Sequence, residues 1–288
     1  MLNTYLYYKL ATNPKSRLDK ELLSIFNKEG TGSLQILKEI SDFSESYINI
    51  LTEDNKCIYC LSYLKHRIYW VSILSTASFV DYRDINKLKE LLVSFYYQNW
   101  IAGATVARIK QTSFNIIKLV KLGNPISDIY AEMQNGLVKY STTKTFKEEI
   151  NSEFVYGRKW DRAVLLLIEY FSSEDCKQNY INIDSKLHLE HILPQKPSHD
   201  WNEVFNDVER AYWTNSLANL TLLSMRKNIQ AKNYSFTKKV EAYKNKDNVI
   251  SPFLITQDVI KCSKWDVEEL NIRKDRLLSK IMNKLDVF

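Results

Sequence analysis

The amino-acid sequence predicts a mostly α protein: a helical bundle first, then a small strand–strand–helix unit embedded among further helices. Three observations carry this. The 288 residues include only 6 glycines and 5 prolines, too few for a turn-rich all-β fold. Up to about residue 170, apolar side chains recur at helical spacing. Near residue 179 the pattern changes to polar–apolar alternation, the period of a strand.

The elements follow in order. Leu22, Leu23, Ile25 and Phe26, then Leu34, Ile36, Leu37 and Ile40, mark two helices. Residues 69–79 are strongly apolar, and 86–100 repeat the pattern with Leu88, Leu91, Leu92, Phe95 and Tyr96. A helix over 101–120 is expected to stop at Gly123-Asn124-Pro125. Ser127 and Asp128 open a helix over 129–138, and 145–150 reads as a short one. Residues 160–171, with Val164 to Ile168 apolar without interruption, read as a buried helix. Residues 182–192 alternate as a strand that ends before Pro194. A loop with a short helix carries Trp201, Phe205, Tyr212 and Trp213, and the three tryptophans Trp201, Trp213 and Trp265 are expected in the core. Residues 219–223 form a second short strand, and 234–243 a helix with Phe236, Val240 and Tyr243 on one face. The last helix, 263–285, is amphipathic, with Ser263 as its expected cap. The boundary between scaffold and second domain is expected at 175/176, giving domains 1–175 and 176–288.

Composition excludes several classes. Hydrophobic residues are 45% and aromatics 12%, enough for a packed core and too many for a disordered chain. No apolar run reaches the length of a membrane span, and the first residues lack a signal-peptide core, so a cytoplasmic protein is expected. Net charge is a mild +6, but residues 226–247 concentrate it: Arg226, Lys227, Lys232, Lys238, Lys239, Lys244 and Lys246 stand against Glu241 and Asp247. Such a stripe suits a phosphate backbone, and it also suits a solvated lysine face. Cys57-Ile58-Tyr59-Cys60 has metal-ligand spacing without a second pair, and its apolar neighbours read as core helix. His188-Leu189-Glu190 lacks the Pro-Cys-x-x-Cys a zinc deaminase needs, and neither His-Glu-x-x-His nor a phosphate loop occurs.

The chemistry concentrates in Leu187-His188-Leu189-Glu190-His191-Ile192-Leu193-Pro194-Gln195, with Asn219 28 positions after His191 and Asn228 nine further on. Alternation puts His188 and Glu190 on one face, with Leu187, Leu189 and His191 on the other. Phosphodiester hydrolysis needs a base, a cation to neutralise developing charge, and a group that orients the base. A neutral imidazole, carboxylate and amide oxygens supply that inventory.

From about 180 onward the chain resembles the C-terminal nuclease domain of GmrSD-type, type IV modification-dependent restriction enzymes and related phage-defence effectors. The resemblance rests on Glu190-His191-Ile192-Leu193-Pro194-Gln195, Leu217-Ala218-Asn219-Leu220-Thr221-Leu222-Leu223, Asn228, Asn233 through Lys239, Tyr243, Trp265, and Arg273 through Leu277. It implies a ββα-metal (HNH) nuclease core: a divalent-metal-dependent DNA endonuclease acting on foreign or modified phage DNA. In that core His191 is the general base, and Asn219 orients its ring or its strand. Glu190 and Asn228 are metal ligands for Mg²⁺, with Mn²⁺ as a substitute, and Lys227, Lys232, Lys238 and Lys239 lie near the DNA backbone. His188 is a strand residue or an outer metal neighbour, and His199 is a solvated loop residue. Arg158 and Arg162 are expected to make surface pairs. Full-length members carry a ParB-like domain with a Gly-Gln-Gln-Arg type motif. No such motif occurs here, so the expected partners are DNA and a ParB-like NTPase or sensor, as a separate subunit or a missing N-terminal domain. A catalytically silent DNA-binding or interaction module is the competing reading.

Overall fold

The computed structural model describes residues 1–173, 178–224, 232–244 and 252–288. It is mostly helical, with one two-stranded sheet among the described residues. The chain divides into two compact units: residues 1–145 with 285–288, and residues 146–284. No helix among the described residues is long and apolar enough to cross a membrane.

The first unit runs α1 (Leu2–Leu10), α2 (Leu18–Glu29), α3 (Ser33–Thr52), α4 (Lys56–Ser62), α5 (Arg67–Phe79), α6 (Ile85–Ile101), α7 (Val106–Lys121) and α8 (Ile126–Lys139). α5 and α6 are buried along most of their length, polar residues such as Ser72, Ser75 and Ser94 included. Trp70, Ile73, Leu74, Leu88, Leu92 and Phe95 accordingly lie in the core. Tyr5, Leu6, Leu22 and Phe43 form a second cluster, where Tyr5 and Phe43 meet edge to face at 5.4 Å. Cys57 and Cys60 are buried in α4, in the core helix their apolar neighbours imply. The helix expected over 101–120 starts later, at Val106: Gly103, at φ 68°, turns the chain between α6 and α7. The apolar pattern runs through this point, but a left-handed glycine does not continue a helix. The stop at Gly123-Asn124-Pro125 holds, with Gly123 at φ 69° and Pro125 capping α8.

α9 (Thr142–Ile150) leads into the second unit: α10 (Asp161–Ser172), β1 (Leu187–His191), α11 (His199–Asn202), α12 (Asp207–Trp213), β2 (Leu220–Ser224), α13 (Phe236–Lys244), α14 (Leu254–Ile260) and α15 (Val267–Leu285). The units divide at 145/146, earlier than the boundary expected at 175/176. α10 is the reason. Residues 163–168 are all buried, and Glu169 on the same helix accepts the Leu254 and Ile255 amides at 2.7 and 3.0 Å, capping α14. α10 is therefore core to the second unit.

β1 and β2 pair antiparallel, His191 opposite Leu220 and Leu187 opposite Ser224. Ile192, Leu193, Trp201, Phe205, Trp213, Leu223, Tyr243, Val259, Trp265 and Leu270 make one core cluster, so the three tryptophans lie where apolar bulk predicts. Arg273, wholly buried on α15, donates to the carbonyls of Leu220 (3.0 Å) and Ile255 (3.3 Å), tying α15 to β2 and α14. The last helix starts later than expected. Asp266, not Ser263, caps it, its Oδ1 accepting the Glu269 amide at 3.0 Å.

Candidate active site

The site is built on the last two residues of β1 and the turn that follows. Ile192 N donates to the Asn219 carbonyl at 3.0 Å. The Asn219 side chain then clasps the next residue: Oδ1 accepts Leu193 N (2.7 Å), and Nδ2 donates to Leu193 O (2.8 Å) and Thr214 O (2.9 Å). Trp265 Nε1 adds a fourth bond to Oδ1 at 3.2 Å, and Asn219 is 0% exposed. A fully satisfied buried amide of this kind pins one backbone geometry. Asn219 fixes the chain leaving His191, and its side-chain hydrogen bonds go to Leu193, Thr214 and Trp265.

The His191 ring is held by residues that the sequence reading missed. Nε2 meets Asn215 Oδ1 at 3.2 Å, and Tyr156 packs against the ring at 4.2 Å between centroids, at 60°. Gln195 Nε2 reaches the same Asn215 oxygen at 3.3 Å. The Asn215 main-chain carbonyl accepts both the Val155 amide (2.9 Å) and the Tyr156 amide (3.0 Å). Burial pushes the imidazole down from 6.5 to about 4; Asn215 opposes this and the Lys239 charge adds to it. The ring is therefore neutral at pH 7, with one nitrogen lone pair available.

Glu190 faces the other way. It is 7% exposed, and its Oε1 accepts the Lys239 ammonium at 2.6 Å and the Tyr243 hydroxyl at 3.1 Å, both from α13. Lys239 also donates to the His191 carbonyl at 2.6 Å. Burial pushes the Glu190 carboxyl up and the Lys239 ammonium down, and each charge opposes the shift of the other. Lys239, expected near DNA, is 1% exposed and instead braces the site from within. Its neighbour Lys238 and Lys232 are exposed, with Lys238 lying over the Tyr234 ring at 5.9 Å. Lys227 and Asn228 lie outside the described residues.

Among the described residues no three His, Cys, Asp or Glu side chains converge, and an ammonium sits 2.6 Å from the carboxylate of Glu190. A divalent ion beside Glu190 would face that positive charge. His188 turns back to the Ser185 carbonyl at 3.0 Å, and His199 is exposed at the start of α11. Arg158 makes the surface pair expected of it, with Glu149 at 3.1 Å, whereas Arg162 pairs with the buried Asp161 at 3.7 Å.

Residues 140–280 match the family described as GmrSD restriction endonucleases, C-terminal domain. The chain carries a GmrSD C-terminal domain. The match begins some way before the motif-bearing segment and takes in α9, the loop with Tyr156, and α10. No curated protein matches the chain. Asn215 left one weak signal in the sequence, an amide four residues before Asn219 and so near the motif. Nothing in the pattern marked Tyr156.

Proposed function

We propose that this GmrSD C-terminal domain is a DNA endonuclease of the HNH (ββα-metal) type, hydrolysing phosphodiester bonds in the restriction of foreign or modified phage DNA. The observation that carries the reading is the neutral His191, held at the end of β1 by Asn215 and Tyr156 in a domain of a restriction-endonuclease family. Its free ring nitrogen takes a proton from water as the oxygen attacks phosphorus, and the scission releases the 3′ or 5′ oxygen. A positioned base of this kind contributes about 10²- to 10⁴-fold.

The rest of the reading keeps the expected parts with changed weights. Exposed Lys232 and Lys238 are the described candidates for the DNA backbone, joined by Lys227; Lys239 holds Glu190. The reading includes Mg²⁺, or Mn²⁺ in its place, to offset charge on the phosphate. Glu190 serves as its ligand, with Asn228, only where Lys239 yields the carboxylate. A ParB-like NTPase or sensor is the proposed partner, and the cytoplasm the proposed setting.

A plasmid-nicking assay with Mg²⁺ or Mn²⁺ tests the reading. Wild type is expected to accumulate relaxed DNA, and His191→Ala to lose at least about 10²-fold in rate. Equal nicking by the variant overturns the assignment of the base. DNA binding by both proteins with cleavage by neither makes the domain a silent binding module.

A further inference from the structure

We infer that Asn215 is the positioning residue for His191: its side-chain carbonyl selects the imidazole tautomer with the proton on Nε2 and leaves Nδ1 as the nitrogen that takes the proton from water. The inference deepens the nuclease reading and rests on it for the catalytic half of the claim.

The geometry is specific to Asn215. Oδ1 lies 3.2 Å from His191 Nε2 and 3.3 Å from Gln195 Nε2, so two N–H groups converge on one carbonyl oxygen with its two lone pairs. A neutral imidazole carries one N–H, and an acceptor on one nitrogen places the proton there. Asn219, the amide nearer the recognised motif, is fully engaged with Leu193, Thr214 and Trp265 and has no bond left for the ring. Asn215 is itself anchored. Its main-chain carbonyl takes the amides of Val155 and Tyr156, and the same bonds fix Tyr156 against the ring. One residue thus sets both the tautomer and, through Tyr156, the tilt of the ring.

The proton balance is closed. Water loses its proton to Nδ1 as its oxygen bonds to phosphorus, the phosphorus–leaving-oxygen bond breaks, and the leaving oxygen is protonated from solvent. His191, now protonated on both nitrogens, donates a charge-assisted hydrogen bond from Nε2 to Asn215 and returns the Nδ1 proton to solvent.

The test uses the full chain labelled with ¹⁵N-histidine, the His191 signals being assigned by their loss in His191→Ala. Long-range ¹H–¹⁵N spectra of wild type near pH 7 are expected to show Nε2 protonated and Nδ1 bare. Asn215→Ala keeps the main-chain bonds to 155 and 156, and is expected to bring the two nitrogens to averaged shifts and cut nicking kcat by about 10- to 100-fold with KM unchanged. Asn215→Asp retains the acceptor oxygen and is expected to restore the tautomer and most of kcat. A wild-type ring protonated on Nδ1, or unchanged shifts and kcat in a folded Asn215→Ala, overturns the inference. Wild-type nicking by His191→Ala alongside a scrambled tautomer in Asn215→Ala would overturn the base reading alone, leaving Asn215 as the residue that orients the ring.

Discussion

Glu190 and His191 are consecutive residues of one strand, and their surroundings are opposite. Glu190 enters a buried charged cluster, ion-paired to Lys239 and hydrogen-bonded to Tyr243. His191 enters an uncharged cradle of Asn215 and Tyr156 and stays neutral. The strand only guarantees that the two side chains diverge. What each becomes is set by the element covering that face: α13 on the Glu190 side, the turns at 155–156 and 215 on the His191 side. The difference separates a face that holds the structure from a face suited to proton transfer.

The largest effect lies on the charged face. Lys239→Met leaves a buried carboxylate unpaired and is expected to cost about 3–5 kcal/mol, read from urea midpoints. Glu190→Gln in the same chain removes the orphaned charge and should recover much of the loss. A Lys239→Met variant as stable as wild type would erase the contrast between the two faces.

On the other face the sharpest probe is pH. His191 is held at about 4, below its ordinary 6.5, so between those values the unfolded chain binds the extra proton. Its contribution is fully present above about pH 6.5 and is lost as pH falls toward 4, as much as about 3 kcal/mol in total. Urea midpoints at pH 7 and pH 4.5 should therefore diverge more in wild type than in His191→Gln. Equal divergence in the two proteins would remove the buried neutral ring from the account.

Between the faces lies Asn219, which holds the turn both share. Asn219→Ala leaves the Leu193 amide and carbonyl unsatisfied and is expected to cost about 2–3 kcal/mol, with the His191 tautomer retained. Loss of the tautomer in a folded Asn219→Ala would move the ring's support to Asn219, expected to orient either the ring or its strand. The smallest effects belong outside both faces. Lys232→Ala and Lys238→Ala should each weaken DNA binding modestly and lower the salt slope of log K by about 1, with stability unchanged.

Much of this architecture was legible in the sequence, for reasons that differ by element. β1 and β2 show in the alternation near His191 and the apolar run at 220–223, and the structure pairs them in register. α10 shows as an unbroken apolar stretch, and Trp201, Trp213 and Trp265 as bulk that has to be buried. The start of α7 at Val106 was hidden because the apolar spacing continues across Gly103. Ser263 looked like a cap by residue type, whereas Asp266 has the position to reach the Glu269 amide. Asn215 and Tyr156 carried little signal, since a polar turn residue and an aromatic in a loop are ordinary in themselves.

The sequence by itself determined the periods, the order of helices and strands, and the fact that Glu190 and His191 diverge, because these depend on local backbone geometry and on which residues avoid water. Only the tertiary structure decided the partners. Lys239 reaches Glu190 across 49 positions, and Asn215 reaches His191 across 24. Whether a lysine faces solvent or a buried carboxylate, and which of two nearby asparagines meets an imidazole, depends on where helices and turns pack. Neither is encoded in any local pattern.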